Sequence, residues 1–217
     1  MFNIFSSNGL ISFLYTLPAL LLSLSIHEFA HSYVAYKLGD SSQKIRGRLT
    51  LDPLKHIDPL GFLCIVLLGF GWGKPVIIDD RNFKNRAKGN MIVALAGPAS
   101  NLILAVLFTL VLKILIVTGV ISVVSTNAIA SMLFNMFILT IEFNVVFAVF
   151  NMLPIPSFDG YNVLYYFLPN KYKGKMYTLQ KYSFVIMLIL FVTGLYSIII
   201  TPVINIIMKF LELIIAL

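Results

Sequence analysis

The chain has 217 residues, of which 59% are hydrophobic and only 12% are charged, whereas a soluble domain is about 45–50% apolar and about 25% charged. The 16 Lys and Arg residues outnumber the 9 Asp and Glu residues and give a formal charge of +7. These basic residues lie between long apolar runs rather than among aromatic residues. The composition therefore excludes a water-soluble globule, argues against nucleic-acid binding and predicts a protein embedded in lipid.

Long apolar runs predict an all-α polytopic membrane protein in which all 217 residues form one integral-membrane domain. The first run has no charge before Glu28. The run at 60–72 is too short to span a bilayer and rich in glycine, so we expect a re-entrant segment or a short strand there. Gly194 and Pro202 leave open whether 183–217 forms one helix or two. The predicted spans are 11–38, 91–117, 128–150 and 183–200, with a possible extra helix at 203–217.

Basic residues are distributed unevenly among the predicted loops. Residues 37–88 contain ten Lys or Arg, residues 171–181 contain four, and residues 119–127 contain none. Short loops that carry an excess of Lys and Arg stay on the cytoplasmic side of a membrane. The sequence therefore predicts that the N-terminus lies outside and that both basic loops lie inside.

The first predicted span carries the motif H-E-x-x-H at residues 27–31. Residues i and i+4 share one face of a helix, so His27 and His31 can direct two ring nitrogens at one Zn²⁺ while Glu28 lies beside the metal to transfer protons. Ionisable groups inside a span are costly and tend to be functional. The alternative is a pair of core histidines that hydrogen-bond to Glu28 and serve helix packing.

A catalytic zinc site needs a third protein ligand, because its fourth position is kept for water. The sequence N-x-x-P-x-P-x-x-D-G at 151–160 follows an apolar span, and its two prolines prevent a regular helix. Broken backbone at membrane depth is tolerated where it lines a site. Asp159 is therefore the predicted third ligand, with a turn-forming Asp-Gly as the alternative. His56, in a loop flanked by prolines, is a weaker candidate.

Together these motifs resemble the site-2 protease family of intramembrane zinc metalloproteases, specifically its small prokaryotic members. A third element, G-P-x-x-N at 97–101, lies between the other two in the order that the family has. The segments at 47–59 and 71–76 are similar to connecting segments of these enzymes. Ser157 and Phe158 depart from the family, in which Pro-Leu is more usual before the ligand aspartate. We expect no PDZ or CBS domain.

The resemblance implies a core of three helices around one Zn²⁺ per chain, bound by His27, His31 and Asp159, with Glu28 as the catalytic residue. The predicted function is a zinc-dependent endopeptidase that cleaves membrane-embedded peptides with zinc-activated water, in regulated intramembrane proteolysis. A proton-coupled membrane transporter and a catalytically silent membrane scaffold are the alternatives.

Two asparagines complete the predicted site. The resemblance implies that Asn151 positions the substrate or polarises its carbonyl group, and a helix-end cap is the alternative. Asn101 is predicted to face the active site and bind substrate, or else to hydrogen-bond between helices. The expected partners are a transmembrane or membrane-associated protein substrate and the lipid bilayer, without nucleic acid. We expect the site near the cytoplasmic side of a prokaryotic cytoplasmic membrane.

Overall fold

A computed structural model describes residues 7–68, 71–120 and 128–216. Every regular element in these ranges is a helix, which confirms the predicted all-α class. The short strand considered for 60–72 does not form among the described residues, where the one β-type pairing is an isolated bridge between Ile57 and Gly73. Positions 69–70 and 121–127, which belong to the predicted re-entrant segment and to the uncharged linker, lie outside the described residues.

The helices differ greatly in length, and the longest ones carry the apolar runs. Two short 3-10 turns, Pro53–Lys55 and Asp80–Asn82, lie in the long connection before the second long helix. The helices are α1 (Ser7–Lys37), α2 (Ser42–Ile45), α3 (Pro59–Leu68), α4 (Arg86–Val117), α5 (Ala128–Asn151), α6 (Asp159–Phe167), α7 (Asn170–Gln180), α8 (Ser183–Thr193) and α9 (Leu195–Ala216).

Four of the described helices are long and apolar enough to cross a bilayer. A hydrocarbon core about 30 Å thick needs about 20 helical residues, at a rise of about 1.5 Å each. Large apolar side chains are exposed along the outer surfaces of these helices, as expected of surfaces that face lipid. The protein is therefore a polytopic integral membrane protein. The candidate spans are Phe13–Lys37, Arg86–Val117, Ile129–Asn151 and Leu195–Ala216.

The C-terminal apolar stretch is divided at Gly194 and not at Pro202. Gly194 has φ +67 and ends α8, because a left-handed residue cannot continue an α-helix. α9 then runs through Pro202, so its bounds differ from the predicted 183–200 and 203–217. At its other end α8 meets α7 with a bend of 72°, and the two together form either a broken span or a re-entrant pair.

α4 is the central helix, because it packs against α1, α5, α6 and α9. Its buried positions include Ala94, Gly97 and Ala105, and small residues of this kind let neighbouring helices approach closely in a membrane. A cluster of buried apolar side chains joins α4 to α5 and α9. Its members are Ala105, Leu112, Ile141, Val145 and Leu211.

Asp40, just after α1, is completely buried and holds the connection that leads to α4. Its Oδ2 accepts hydrogen bonds from Gln43 Nε2 at 2.7 Å and from the backbone N–H of Asp79 at 2.9 Å. Gln43 Nε2 also donates to the carbonyl group of Ile77 at 2.8 Å. These bonds tie residues 71–79, a non-helical stretch that we call the anchored segment, to the end of α1.

Arg48 fixes the middle of the anchored segment. Its side chain is buried, and its guanidinium group donates to the carbonyl groups of Lys55 and Lys74 and, at 3.0 Å, to that of Pro75. The N–H of Lys74 in turn donates to the carbonyl group of His56 at 2.8 Å. The segment is thus held on both sides by polar groups, although it belongs to no sheet.

Candidate metal centre and active site

α1 brings the two histidines of the H-E-x-x-H motif onto one buried face. His27 and His31 are one helical turn apart, and their Nε2 atoms lie 3.0 Å from each other. Both side chains are almost completely buried, because this face of α1 packs against α4 and α5. The predicted convergence of the two rings is therefore present.

The non-helical turn between α5 and α6 positions the third potential ligand, the carboxylate of Asp159. Asp159 is the first residue of α6, and its Oδ2 lies 3.1 Å from His27 Nε2 and 3.2 Å from His31 Nε2. Ser157, in the turn before it, has φ 83, a left-handed conformation that is uncommon for a residue with a side chain. Proline cannot adopt this φ value, because its ring fixes φ near −65°. The family-typical Pro at 157 is thus incompatible with the turn seen in this chain.

Gly160 allows the first turn of α6 to pack closely against the turn between α5 and α6. A Cβ atom at this position would stand 2.2 Å from the carbonyl oxygen of Met152, well inside van der Waals contact. The Asp-Gly pair therefore places a carboxylate beside the two histidine rings and a residue without a side chain against the turn.

The donor set fits a zinc ion. His31 Nδ1 lies 2.7 Å from the carbonyl oxygen of Val93, which can only accept, so a neutral His31 ring carries its proton on Nδ1 and leaves Nε2 bare. Asp159 Oδ2 is buried and has no hydrogen-bond partner among the described residues apart from the two ring nitrogens. When both rings are neutral with bare Nε2 atoms, three acceptor atoms lie 3.0–3.2 Å apart and repel one another, and a metal cation between them removes this repulsion.

Distances agree with this interpretation. In tetrahedral zinc coordination with bonds of about 2.0–2.1 Å, neighbouring ligand atoms lie about 3.3 Å apart. His27, His31 and Asp159 are the one group of potential metal ligands of this kind within the described ranges. Three ligands leave one tetrahedral position free, as in catalytic rather than structural zinc sites.

Asn101 lies behind His27. Its Oδ1 is 2.6 Å from His27 Nδ1, and its side chain is completely buried. Asn101 does not line the cavity described below, so it reaches the centre through the histidine ring. Such a partner on the far ring nitrogen orients a metal-binding histidine.

A partly open cavity of about 520 Å³ adjoins the centre. Glu28 and Asn151 both line it, next to His27, and Asn151 Nδ2 donates to the carbonyl group of Phe147 at 2.9 Å. Most of its wall is apolar, with contributions from the anchored segment and from α8. These wall residues include Trp72, Pro75, Phe184, Met187 and Phe191.

Other ionisable candidates stay apart from this centre. His56 is completely buried in the connection before α3, and its Nε2 lies 2.7 Å from the carbonyl oxygen of Thr50. Glu142 lies on an exposed position of α5. Ser23 and Asn144 are buried next to Asn101 and were not among the predicted site residues. A polar residue within an apolar span was the available signal for Asn144.

Comparison with known proteins agrees with this geometry. Residues 112–194, which include Asp159, match the model of peptidase family M50. The Bacillus subtilis (strain 168) protein YwhC, named as a zinc metalloprotease, is 40% identical over 193 residues, which cover 88% of this chain and 86% of YwhC. The chain belongs to peptidase family M50. Its membership makes the protein a zinc metalloprotease and argues against the transporter alternative.

Two further relatives are similar over most of the chain. The Mycolicibacterium smegmatis protein Rip2, also named as a zinc metalloprotease, is 34% identical over 191 residues, covering 83% of this chain and 68% of Rip2. The protein of the same name from Mycobacterium tuberculosis H37Rv is 31% identical over 184 residues, covering 82% of this chain and 67% of its own length. No solved structure matches the chain.

Proposed function

We propose that this metalloprotease is an intramembrane endopeptidase that hydrolyses peptide bonds of membrane-embedded proteins with one zinc ion per chain. The observation that carries the proposal is the convergence of His27, His31 and Asp159 ligand atoms at 3.0–3.2 Å beside a cavity that Glu28 also lines. Two of these ligands belong to a helix that is apolar enough to cross a bilayer.

Each polar group of the site has a separate task. Zinc, when bound, supplies Lewis acidity that favours ionisation of water and polarises a carbonyl group. Glu28, in the cavity, takes a proton from the attacking water and delivers it to the leaving amine. Asn151 has one amide N–H engaged with Phe147, and its second N–H donates to the developing oxyanion. Asn101 orients His27, in place of the substrate contact that the resemblance implied.

The surroundings of the cavity support a membrane-embedded substrate. Its wall is mainly apolar and includes α8 side chains, so it suits an apolar peptide better than a soluble one. The two basic loops and the uncharged linker support an N-terminus outside the cytoplasmic membrane and a site near the cytoplasmic side. Regulated intramembrane proteolysis is the process that this arrangement would serve.

The test compares Glu28→Gln with Glu142→Gln in purified protein and in cells. Glu142 is a matched control, because it is a glutamate on an exposed position of α5, outside the cavity. We expect about one zinc per chain in all three proteins, and loss of membrane-protein fragments only in cells with Glu28→Gln. Absence of zinc from folded wild-type protein, or full cleavage by Glu28→Gln, would contradict the proposal.

A further inference from the structure

Three buried polar side chains join α1, α4 and α5 directly behind the proposed zinc ligand His27. Ser23, Asn101 and Asn144 each have no exposed surface. Asn101 Nδ2 donates to the carbonyl group of Ser23 at 3.0 Å and to Asn144 Oδ1 at 2.7 Å. Asn144 Nδ2 donates to Ser23 Oγ at 2.8 Å and to the carbonyl group of Thr140 at 2.8 Å.

Backbone carbonyl groups determine the direction of these bonds, because a carbonyl oxygen can only accept. The carbonyl group of Thr140 requires the nitrogen of the Asn144 amide, which leaves Asn144 Oδ1 as the atom that faces Asn101. The carbonyl group of Ser23 requires the nitrogen of the Asn101 amide in the same way. Both N–H groups of Asn101 are then engaged, and its Oδ1 faces His27.

The network thereby selects one tautomer of His27. Asn101 Oδ1 lies 2.6 Å from His27 Nδ1, so this nitrogen must carry the proton. A neutral ring then has a bare Nε2, and this is the atom that lies 3.1 Å from Asp159 Oδ2. A metal ion binds a neutral histidine through an unprotonated nitrogen. The opposite tautomer would place its proton where the metal binds.

We propose that Asn144 is a positioning residue for metal binding: it accepts a hydrogen bond from Asn101 and so holds His27 in its metal-binding tautomer. This rests on the proposed role of His27 as a zinc ligand. Without an acceptor at 144, one N–H of Asn101 is buried without a partner, so the Ser23 carbonyl group alone holds the amide and the free-energy difference from the rotated amide becomes smaller. A rotated amide presents N–H to His27 Nδ1 and stabilises the wrong tautomer.

Asn144→Leu tests the proposal in the purified full chain, with two readouts. The first is the Kd for zinc, from competition with a chromogenic chelator, and the second is the ¹⁵N NMR signature of the His27 side chain in metal-free protein. We expect the Kd to rise about tenfold, the lower end of the range for groups that orient metal ligands. We also expect the wild-type Nδ1–H tautomer to become a mixture.

Three other variants separate positioning from simple packing. Asn144→Asp keeps an acceptor for Asn101, and its protonated form can donate to Thr140, so we expect near-wild-type Kd and tautomer. Ser23→Ala removes the hydroxyl group but not the carbonyl group that orients Asn101, so the tautomer should stay unchanged. Thr109→Val removes a completely buried hydroxyl group that bonds within α4 and should leave both readouts unchanged.

These experiments distinguish failure of the Asn144 proposal from failure of the proposed function. If wild-type protein binds no zinc, the proposed function fails. If wild-type protein binds zinc but Asn144→Leu keeps its Kd and tautomer, only the role of Asn144 is refuted. Equal losses in Asn144→Leu and Asn144→Asp also refute it. Should Asn144→Leu not fold, Asn144→Gln moves the acceptor by one methylene group and is expected to give the same two changes.

Discussion

Gly97 lies directly against the ring of His31: a Cβ atom at position 97 would stand 2.4 Å from His31 Nε2. It would also stand 2.6 Å from Cε1 of both His27 and His31. The two rings can meet at one point only because α4 has no side chain at this position.

Gly97→Ala should therefore displace the rings without breaking the helix, since Ala is the better helix former. We expect cleavage to fall roughly 100-fold, as for other misplacements of about 1 Å at a reacting centre. Gly174→Ala is the matched control, because a Cβ atom there meets nothing within 4 Å. Cleavage assays and zinc titration check both variants, and an active Gly97→Ala enzyme would refute the steric argument.

Removal of the Asp159 carboxylate should abolish the effect of zinc on the Tm of the protein. A ligand that binds only the folded state stabilises it by about 2.7 kcal/mol at 100 times its Kd. We expect a chelator to lower the Tm of wild-type protein and to leave the Tm of Asp159→Asn unchanged. The control is Asp58→Asn, whose carboxylate caps α3 through the N–H of Gly61 and does not belong to the metal centre. A chelator response that survives in Asp159→Asn would place the zinc elsewhere.

Arg48→Lys should loosen the anchored segment. Lysine cannot reach several carbonyl groups with a planar fork as Arg48 does, and hydrogen bonds to charged groups contribute about 1.5–3 kcal/mol each. We expect faster amide hydrogen exchange at 71–79 and weaker substrate cleavage. Arg46→Lys is the control, because the neighbouring Arg46 is exposed and makes one long contact, 3.5 Å from the carbonyl oxygen of Ile77. Equal exchange in both variants would contradict the assignment.

Protonation of Asp40 at low pH should release the anchored segment. Burial opposes ionisation of Asp40, but hydrogen bonds from Ser42, Asp79 and Gln43 outweigh burial and hold its pKa below the ordinary value of 3.8. A lowered pKa stabilises the folded state above the unfolded-state value, and the contribution is lost as pH falls through the folded-state value. We expect the N–H of Asp79 to stay protected from exchange down to about pH 4 and to lose protection below it.

Asp40→Asn is the comparison for this pH dependence. The side-chain amide of this variant has one acceptor oxygen instead of two, so the N–H of Asp79 should be less protected from hydrogen exchange at neutral pH than in wild-type protein. This protection should not change when the pH is lowered. Exchange rates corrected for their intrinsic pH dependence provide the measurement. A wild-type profile without a step in the acid range would show that Asp40 does not anchor the segment.

Local patterns in the sequence predicted the helix that carries His27 and His31 and the helix break before Asp159. The i, i+4 spacing of His27 and His31 determines which helix face they share, and helix geometry does not depend on the rest of the fold. The prolines before Asp159 mark a helix break for an equally local reason. The apolar runs identified the long helices, since their lengths follow from bilayer thickness.

Long-range contacts were not predictable in the same way. Nothing in the chain near Asn101 indicates that Asn144 accepts its hydrogen bond, because that contact depends on how α4 and α5 pack. The role of Asp40 likewise depends on a loop that returns 39 residues later at Asp79. Near the C-terminus, the sequence offers two residues that can end a helix, Gly194 and Pro202. The left-handed φ of Gly194 ends α8, whereas Pro202 lies within α9.

The proposed ligands lie far apart along the chain, so the ribosome synthesises them at different times. Asp159 comes 128 residues after His31, with α4 and α5 between them. A chain still emerging from the ribosome offers a metal ion two nitrogens from α1 before the carboxylate exists. The three proposed ligands therefore cannot share a metal ion until synthesis of the chain has passed the end of α5.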